Sequence, residues 1–227
     1  IRVYDETVKI SHEEMLEMIE EATLAPSSVN MQPWRFVIVE SDEEKANLKP
    51  LIRFNTRQND TSSAMILIFG DMLCYEFGEE IYDKAVAEGK MSQEVRDQQI
   101  GAIIPYYKNF SKEQMNDVVK IDSSLAAMQF MLVARAHGYD TNPIGGFEAD
   151  QLADAFDLDK ERYVPVAVMM AWLSKWAVSL LLALALPWVS SVWCCCWKPW
   201  SRYRKKSPVR WTCTCAPLAR PPNWPPW

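Results

Sequence analysis

Glycine and histidine are scarce in this chain, and acidic residues run out before its end. Only seven glycines and two histidines occur in 227 residues, and no Asp or Glu follows Glu161. With His12 and His137 alone, there is no histidine cluster to ligate a metal, and no metal site is expected. No G-x-G-x-x-G and no Walker loop is present, so neither a dinucleotide-binding Rossmann turn nor a nucleotide-triphosphate cradle is available. Up to residue 171 the chain has a single cysteine, Cys74, which leaves no disulfide framework to build and suits a reducing compartment. The opening Ile-Arg-Val-Tyr-Asp-Glu is too polar for a signal peptide. A cytoplasmic location is expected.

What is present divides into two compositions. Residues 1–171 hold 16 Lys and Arg against 30 Asp and Glu, a net charge of −14. Residues 172–227 hold eight basic and no acidic residues, a net +8, together with nine of the ten tryptophans and five of the six cysteines. The acidic body argues against nucleic acid as a partner, because phosphate binding needs a basic face. Its length suffices for one sizeable core.

Helix and strand patterns alternate through that body. Ser11-His12-Glu13-Glu14 has the form of a capping box, and Met15, Met18, Ile19, Ala22 and Leu24 follow at helical spacing. The carboxylates Glu13, Glu14, Glu17, Glu20 and Glu21 read as a solvated face. Arg35–Glu40 reads as a strand, Asp42 caps a helix through Leu51, and Ala64–Gly70 is an apolar run suited to a strand covered on both faces. Residues 75–137 are helical with breaks at Gly89-Lys90-Met91 and Ser111. The last helix carries Val118, Ile121, Leu125, Met128, Met131, Leu132 and Ala134, a stripe that reads as the central core element. His137 reads as a helix-terminal residue. Gly138 to Thr141 then ends the helix, Asn142 to Phe147 reads as a turn, 149–156 as a short helix and Arg162–Met170 as a buried strand.

One stretch stands apart: Ala25-Pro26-Ser27-Ser28-Val29-Asn30-Met31-Gln32-Pro33-Trp34. Pro26 and Pro33 fix φ and withhold two backbone donors, so a shaped loop is expected. Ser27, Ser28, Asn30 and Gln32 offer uncharged hydrogen-bonding groups to a ligand's polar edge. Asn55 and Gln58, three residues apart, share one side of a helical turn. Gly145 and Gly146 let backbone approach a planar ligand and leave amides free to donate. Taken alone, each of these is also an ordinary turn or surface feature.

Together, the A-P-S-S-x-N-x-Q-P-W loop, Arg2-Val3-Tyr4-Asp5, Asn55-Thr56-Arg57-Gln58 and Asn142-Pro143-Ile144-Gly145-Gly146-Phe147 resemble the nitroreductase family of flavin mononucleotide (FMN) enzymes, over residues 1 to about 171. The resemblance implies an α+β fold: a mixed, mostly antiparallel sheet flanked by helices, in a homodimer with a flavin at each of two sites between subunits. It implies an oxidoreductase that passes hydride from NAD(P)H through FMN to a nitroaromatic or quinone-like small molecule. It assigns cofactor contacts to Arg2, Pro26, Ser27, Ser28, Asn30, Gln32, Asn55, Gln58, Pro143, Ile144, Gly145 and Gly146, and asks no side chain to act as a nucleophile. The alternative is a non-catalytic or membrane-tethered protein of the same fold that holds flavin weakly. In the family, a helix and further basic residues precede the position of Arg2, so the natural start is expected to lie upstream.

The family pattern stops near Ala171, where a glycine-lysine turn and a phosphate-binding basic residue would follow. Trp176–Trp197 is instead a run of 22 uncharged residues between Lys175 and Lys198. Its length fits a membrane anchor, though Pro187 and the serines weaken that reading. The five tail cysteines lack the pair spacing of a metal site. An out-of-frame end is the third reading, favoured by the abrupt loss of acids and glycines with no periodicity that fits the domain.

Overall fold

The computed structural model describes residues 4, 6, 7 and 9–173, all within a unit spanning 1–178. Arg2 and the whole of 174–227, with its anchor, metal-site and out-of-frame readings, lie outside the described residues. None of the described helices is long and apolar enough to cross a membrane.

Helix α1 (His12–Ala22) begins where expected, with the Ser11 hydroxyl accepting from the Glu14 amide. It buries Met15, Met18 and Ala22; Leu24 lies beyond its end and is exposed. Strand β1 (Trp34–Val39) leads into α2 (Asp42–Leu48), whose N-terminus closes a full capping box between Ser41 and Glu44. Helix α3 (Thr56–Thr61) precedes β2 (Ala64–Asp71), in which every residue is buried. Helices α4 (Gly78–Ala87) and α5 (Gln93–Lys108) flank the break at Gly89, whose φ of +70° suits a residue without Cβ. Helix α6 (Lys112–Ala136) starts at a second capping box, Ser111 with Gln114, and ends at His137. Strand β3 (Tyr139–Ile144), the one-turn helix α7 (Ala149–Leu152) and β4 (Tyr163–Leu173) complete the order.

The four strands form one sheet in the order β1-β2-β4-β3, and each neighbouring pair is antiparallel. Side-chain alternation divides its two faces. Met65, Leu67 and Phe69 of β2 join Val168 and Met170 of β4 in a cluster with Leu48, Leu51, Ile52 and Ile144. Ala64, Ile66 and Ile68 point the other way, onto Met15 and Met18 of α1 and Phe130 of α6. Covering both faces explains why β2 reads as an unbroken apolar run. The β2–β4 register shifts between Ile68 and Phe69, opposite Pro165, which has no N–H to give the ladder.

Two expectations are corrected. Residues 139–144 are an edge strand rather than a helix exit and turn; Pro143 is tolerated because a sheet edge need not use every N–H. Only part of the α6 stripe is core: Ala134 is buried, and Val118 and Met131 pack against the buried clusters. Ile121, Leu125, Met128 and Leu132 are 63, 44, 49 and 55% exposed, while the buried face is Met115, Val119, Asp122, Ser123, Ala126, Ala127, Phe130, Val133 and Ala134. Small residues let α6 lie close against the sheet.

Candidate functional site

The 25–34 loop is built under constraint. Ser28–Asn30 makes a single 3₁₀ turn, and Val29, Asn30 and Gln32 have φ of +43°, +57° and +46°. Asparagine tolerates this left-handed region; for a β-branched valine it is strained. Hydrogen bonds from three directions hold the turn. Ser27 Oγ accepts from the Gln32 amide at 3.0 Å, and the Tyr82 hydroxyl of α4 donates to the Val29 carbonyl at 3.0 Å. Asp122 of α6 accepts from both the Ser28 amide, at 2.9 Å, and the Ser28 hydroxyl, at 3.1 Å.

Pro26, Ser28 and Asn30 face solvent, and Ser27 and Gln32 are half-buried. The two carboxamides engage each other, Gln32 Nε2 donating to Asn30 Oδ1 at 3.2 Å. Asn30 and Gln32, with Arg35, Phe77, Glu80 and Lys84, line a cleft of about 690 Å³ between the loop and α4. Burial raises the Asp122 carboxyl above the usual carboxylate range, with the two Ser28 bonds opposing it. Behind the loop, burial pushes the Tyr107 hydroxyl and the Cys74 thiol each up to about 12, so neither ionises near neutral pH.

A second group forms on the Leu51–Ile144 face of the sheet. Asn55 stands at the N-terminus of α3, its Nδ2 donating to the Ile52 carbonyl at 3.1 Å, and Gln58 lies one turn on. Both line a cavity of about 310 Å³ with Phe54 and Arg57. Gly146 lies beside Asn55: a Cβ on it would stand 4.0 Å from Asn55 Nδ2 and 3.9 Å from Arg53 Cδ. The Arg53–Glu148 ion pair at 2.7 Å and the Glu148 amide bond to the Leu51 carbonyl at 2.8 Å tie the two segments together. A Cβ on Gly145 would meet nothing within 4 Å, which leaves its backbone open to an approaching flat molecule. Ile144 is buried in the core, so only its backbone can face a ligand, and Pro143 is exposed.

The structure therefore brings Asn55 and Gln58 together on one cavity and places Gly146 beside Asn55. It sets the 26–32 loop against α4 and α6, within different packing clusters. Three participants escape a sequence reading. Asp122 is the acceptor for Ser28 from 94 residues away, which no local pattern encodes. Phe54 is 96% exposed beside the cavity, and Arg57 has no carboxylate partner among the described residues. A phenylalanine followed by Asn-x-Arg was the available signal for those two.

A family model described as the nitroreductase family matches residues 1–172. The Bacillus subtilis (strain 168) protein named "Putative NAD(P)H nitroreductase YdgI" is 54% identical over 169 residues, covering 74% of this chain and 81% of that protein. The CLA biosynthesis enone reductase of Lactiplantibacillus plantarum is 38% identical over 167 residues, 73% of this chain and 77% of its own. Among solved structures, that of a "putative nitroreductase in complex with FMN" from Exiguobacterium sibiricum is 57% identical, with a TM-score of 0.75, and the match covers 78% of this chain and 84% of that one. Loop, glycine pair and sheet order thus sit in a chain that belongs to the nitroreductase family.

Proposed function

We propose that the chain is an FMN-dependent oxidoreductase, using NAD(P)H as reductant and an electron-poor small molecule, such as a nitroaromatic or a quinone, as acceptor. The carrying observation is a cavity lined by Asn55, Gln58 and Arg57, the last without a carboxylate partner among the described residues, with Gly146 beside Asn55. That donor set fits a flavin: carboxamides for the pyrimidine edge, open backbone for the ring, and a guanidinium for an anionic group. FMN in the Exiguobacterium structure supports the same reading. When bound, the flavin supplies the two-electron chemistry that side chains lack.

The residues of this chain bind, orient and shield. Asn55 and Gln58 hold the polar edge, and the Gly145 and Gly146 amides offer donors where negative charge grows on reduction. Pro26, Ser27, Ser28, Asn30 and Gln32 shape a second wall. Because that loop packs away from the Asn55 cavity, the complete site takes the two groups from different subunits of a homodimer. The exposed stripe Ile121, Leu125, Met128 and Leu132 on α6 supplies an apolar face for that contact. Arg2 is assigned to the same site through the family resemblance.

The purified chain, titrated with FMN and then given NADPH or NADH under nitrogen, tests this directly. A bound, visible flavin band that bleaches on adding nicotinamide and returns on adding a nitroaromatic is the expected result. Asn55→Ala is expected to weaken FMN binding about tenfold, the worth of one to two polar contacts. A wild-type chain that takes up no flavin would overturn the proposal.

A further inference from the structure

We infer that Asp122 is a positioning residue of the flavin site, acting through Ser28 to hold the 26–32 loop in its ligand-facing form. The inference rests on the FMN reading above and extends it to a residue 94 positions away in the chain.

The geometry is specific. Asp122 lies in the buried face of α6, 3% exposed, at a helix position where solvated neighbours such as Ile121 point outward. A buried carboxylate is costly unless its oxygens are hydrogen-bonded, and here each oxygen takes one donor of the same residue. Ser28 commits its amide and hydroxyl hydrogens to Asp122, and Tyr107 of α5 also hydrogen-bonds the Ser28 side chain, so the serine is fixed from behind the loop. The adjoining turn needs this anchor. Val29 is held at φ +43°, and the Tyr82 bond to the Val29 carbonyl fixes the other end of the same residue pair. Releasing Ser28 lets Val29 relax to a negative φ and moves Asn30 and Gln32 with it.

An asparagine at 122 keeps the shape and changes the bonding. Its carbonyl oxygen still accepts from the Ser28 amide, while its NH₂ donates to the Ser28 oxygen and frees the hydroxyl to present a hydrogen instead. The charge is also lost. The remaining titratable groups that face Asp122 are Tyr107 of α5 and Cys74 after β2, and both stay neutral across the acid and neutral range.

The test measures FMN dissociation constants of the full chain from pH 5 to 8 for wild type, Asp122→Asn, Ser28→Ala and the double variant, with circular dichroism to verify folding. At pH 8 Asp122→Asn should bind about ten- to a hundredfold more weakly, as expected for a lost charge-assisted contact. Toward acid, protonation of Asp122 makes wild type resemble the variant, so the ratio of the two constants should shrink. The flavin phosphate titrates in both proteins and cancels from that ratio. In the Ser28→Ala background, the Asp122→Asn effect should largely vanish, because the two residues act as one unit. A pH-independent ratio, or additive effects of the two substitutions, would overturn the inference. Should Asp122→Asn fail to fold, the Ser28→Ala profile still decides: with the hydroxyl bond removed, its acid dependence must be weaker than that of wild type. Absence of flavin uptake by wild type overturns the FMN reading itself and, with it, this role.

Discussion

Arg162 grips Asp71 with two parallel hydrogen bonds, Nε to one carboxylate oxygen at 2.9 Å and Nη2 to the other at 3.1 Å. Asp71 closes the end of β2, has no exposed surface, and also accepts from Arg35 Nη2 at 2.8 Å and the Leu73 amide at 3.0 Å. Arg35 in turn donates Nη1 to the carbonyls of Gln32, at 2.9 Å, and Trp34, at 2.8 Å. One buried carboxylate thereby links the start of β4, the start of β1 and the last strained residue of the candidate flavin loop.

Asp71→Ala should destabilise the fold by about 3–5 kcal/mol, since two guanidinium groups lose their shared buried partner, leaving Arg162 with Glu76 at 3.2 Å and Arg35 with its carbonyl acceptors. Arg35 and Arg162 are partly exposed and can recover some solvation, which places the lower end of that range nearer the mark. Urea denaturation followed by circular dichroism measures the loss. A change below about 0.5 kcal/mol, the size of an ordinary surface substitution, would contradict the central placing of Asp71.

The α6 stripe makes a prediction about assembly. Leu125→Arg introduces a charge in the middle of the exposed apolar face and leaves the buried face of the helix untouched. Light scattering should then report a fall from dimer to monomer mass with an unchanged circular dichroism spectrum, and FMN affinity should fall with it. A wild-type chain that is already monomeric, or a variant that stays dimeric, would remove α6 from the interface.

The same stripe shows where sequence reading works and where it stops. Serine caps at 11 and 111 announce their helices because the capping bond is local, and the 64–70 run announces its strand because both faces are covered. On α6 Ile121, Leu125, Met128 and Leu132 mark a face left open in the single chain, whereas the packed face mixes Met115, Val119 and Phe130 with Ser123, Ala126 and Ala127; hydrophobic size alone does not tell the two apart. Strand β3 is hidden by Asn142-Pro143, a pair that spells a turn unless one knows that the strand lies at a sheet edge. The loop and the Asn55 segment were legible as motifs. Their placement in different packing clusters was not, because it depends on contacts with α4 and α6 made far along the chain.

Lys45 carries a pH dependence. It is 5% exposed, and its ammonium donates to the Ser62 carbonyl at 2.6 Å and the Ser63 carbonyl at 3.3 Å, just past the end of α3. Burial lowers its pKa, with Lys9 adding to the effect and Asp42, Asp60 and Glu40 opposing it. Below the lowered value both folded and unfolded chains carry the proton, and the charge penalty is fully present. Between that value and the unfolded pKa of about 10.4, the unfolded chain binds more protons, so stability rises with pH. Compared with Lys45→Met, wild type should therefore gain stability as pH climbs toward 10. A difference between the two that is flat across pH 7–10.5 would show that burial does not perturb this lysine.

Val29 tests whether strain in the loop serves binding. A valine at φ +43° sits in a region that costs a β-branched residue roughly 1–2 kcal/mol, and glycine adopts it freely. Val29→Gly relieves that strain, while the added freedom of glycine in the unfolded chain offsets roughly 0.5–1 kcal/mol of the gain. The net change in stability should lie between zero and about 1.5 kcal/mol in favour of the variant. The Tyr82 bond survives, because it uses the Val29 carbonyl and not its side chain. What changes is the preference of the free loop: glycine at 29 allows Ser28 and Asn30 several arrangements, so binding FMN must order them anew. Affinity should fall severalfold while the thermal midpoint holds or rises, a separation of stability from function expected when strain is kept for pre-organisation. Val29→Ala, which keeps Cβ and removes the branch, should fall between the two proteins in both measurements. If Val29→Gly lowers the thermal midpoint and leaves FMN affinity untouched, the positive φ is a plain structural turn, and the loop owes its shape to Asp122, Tyr82 and Ser27 alone.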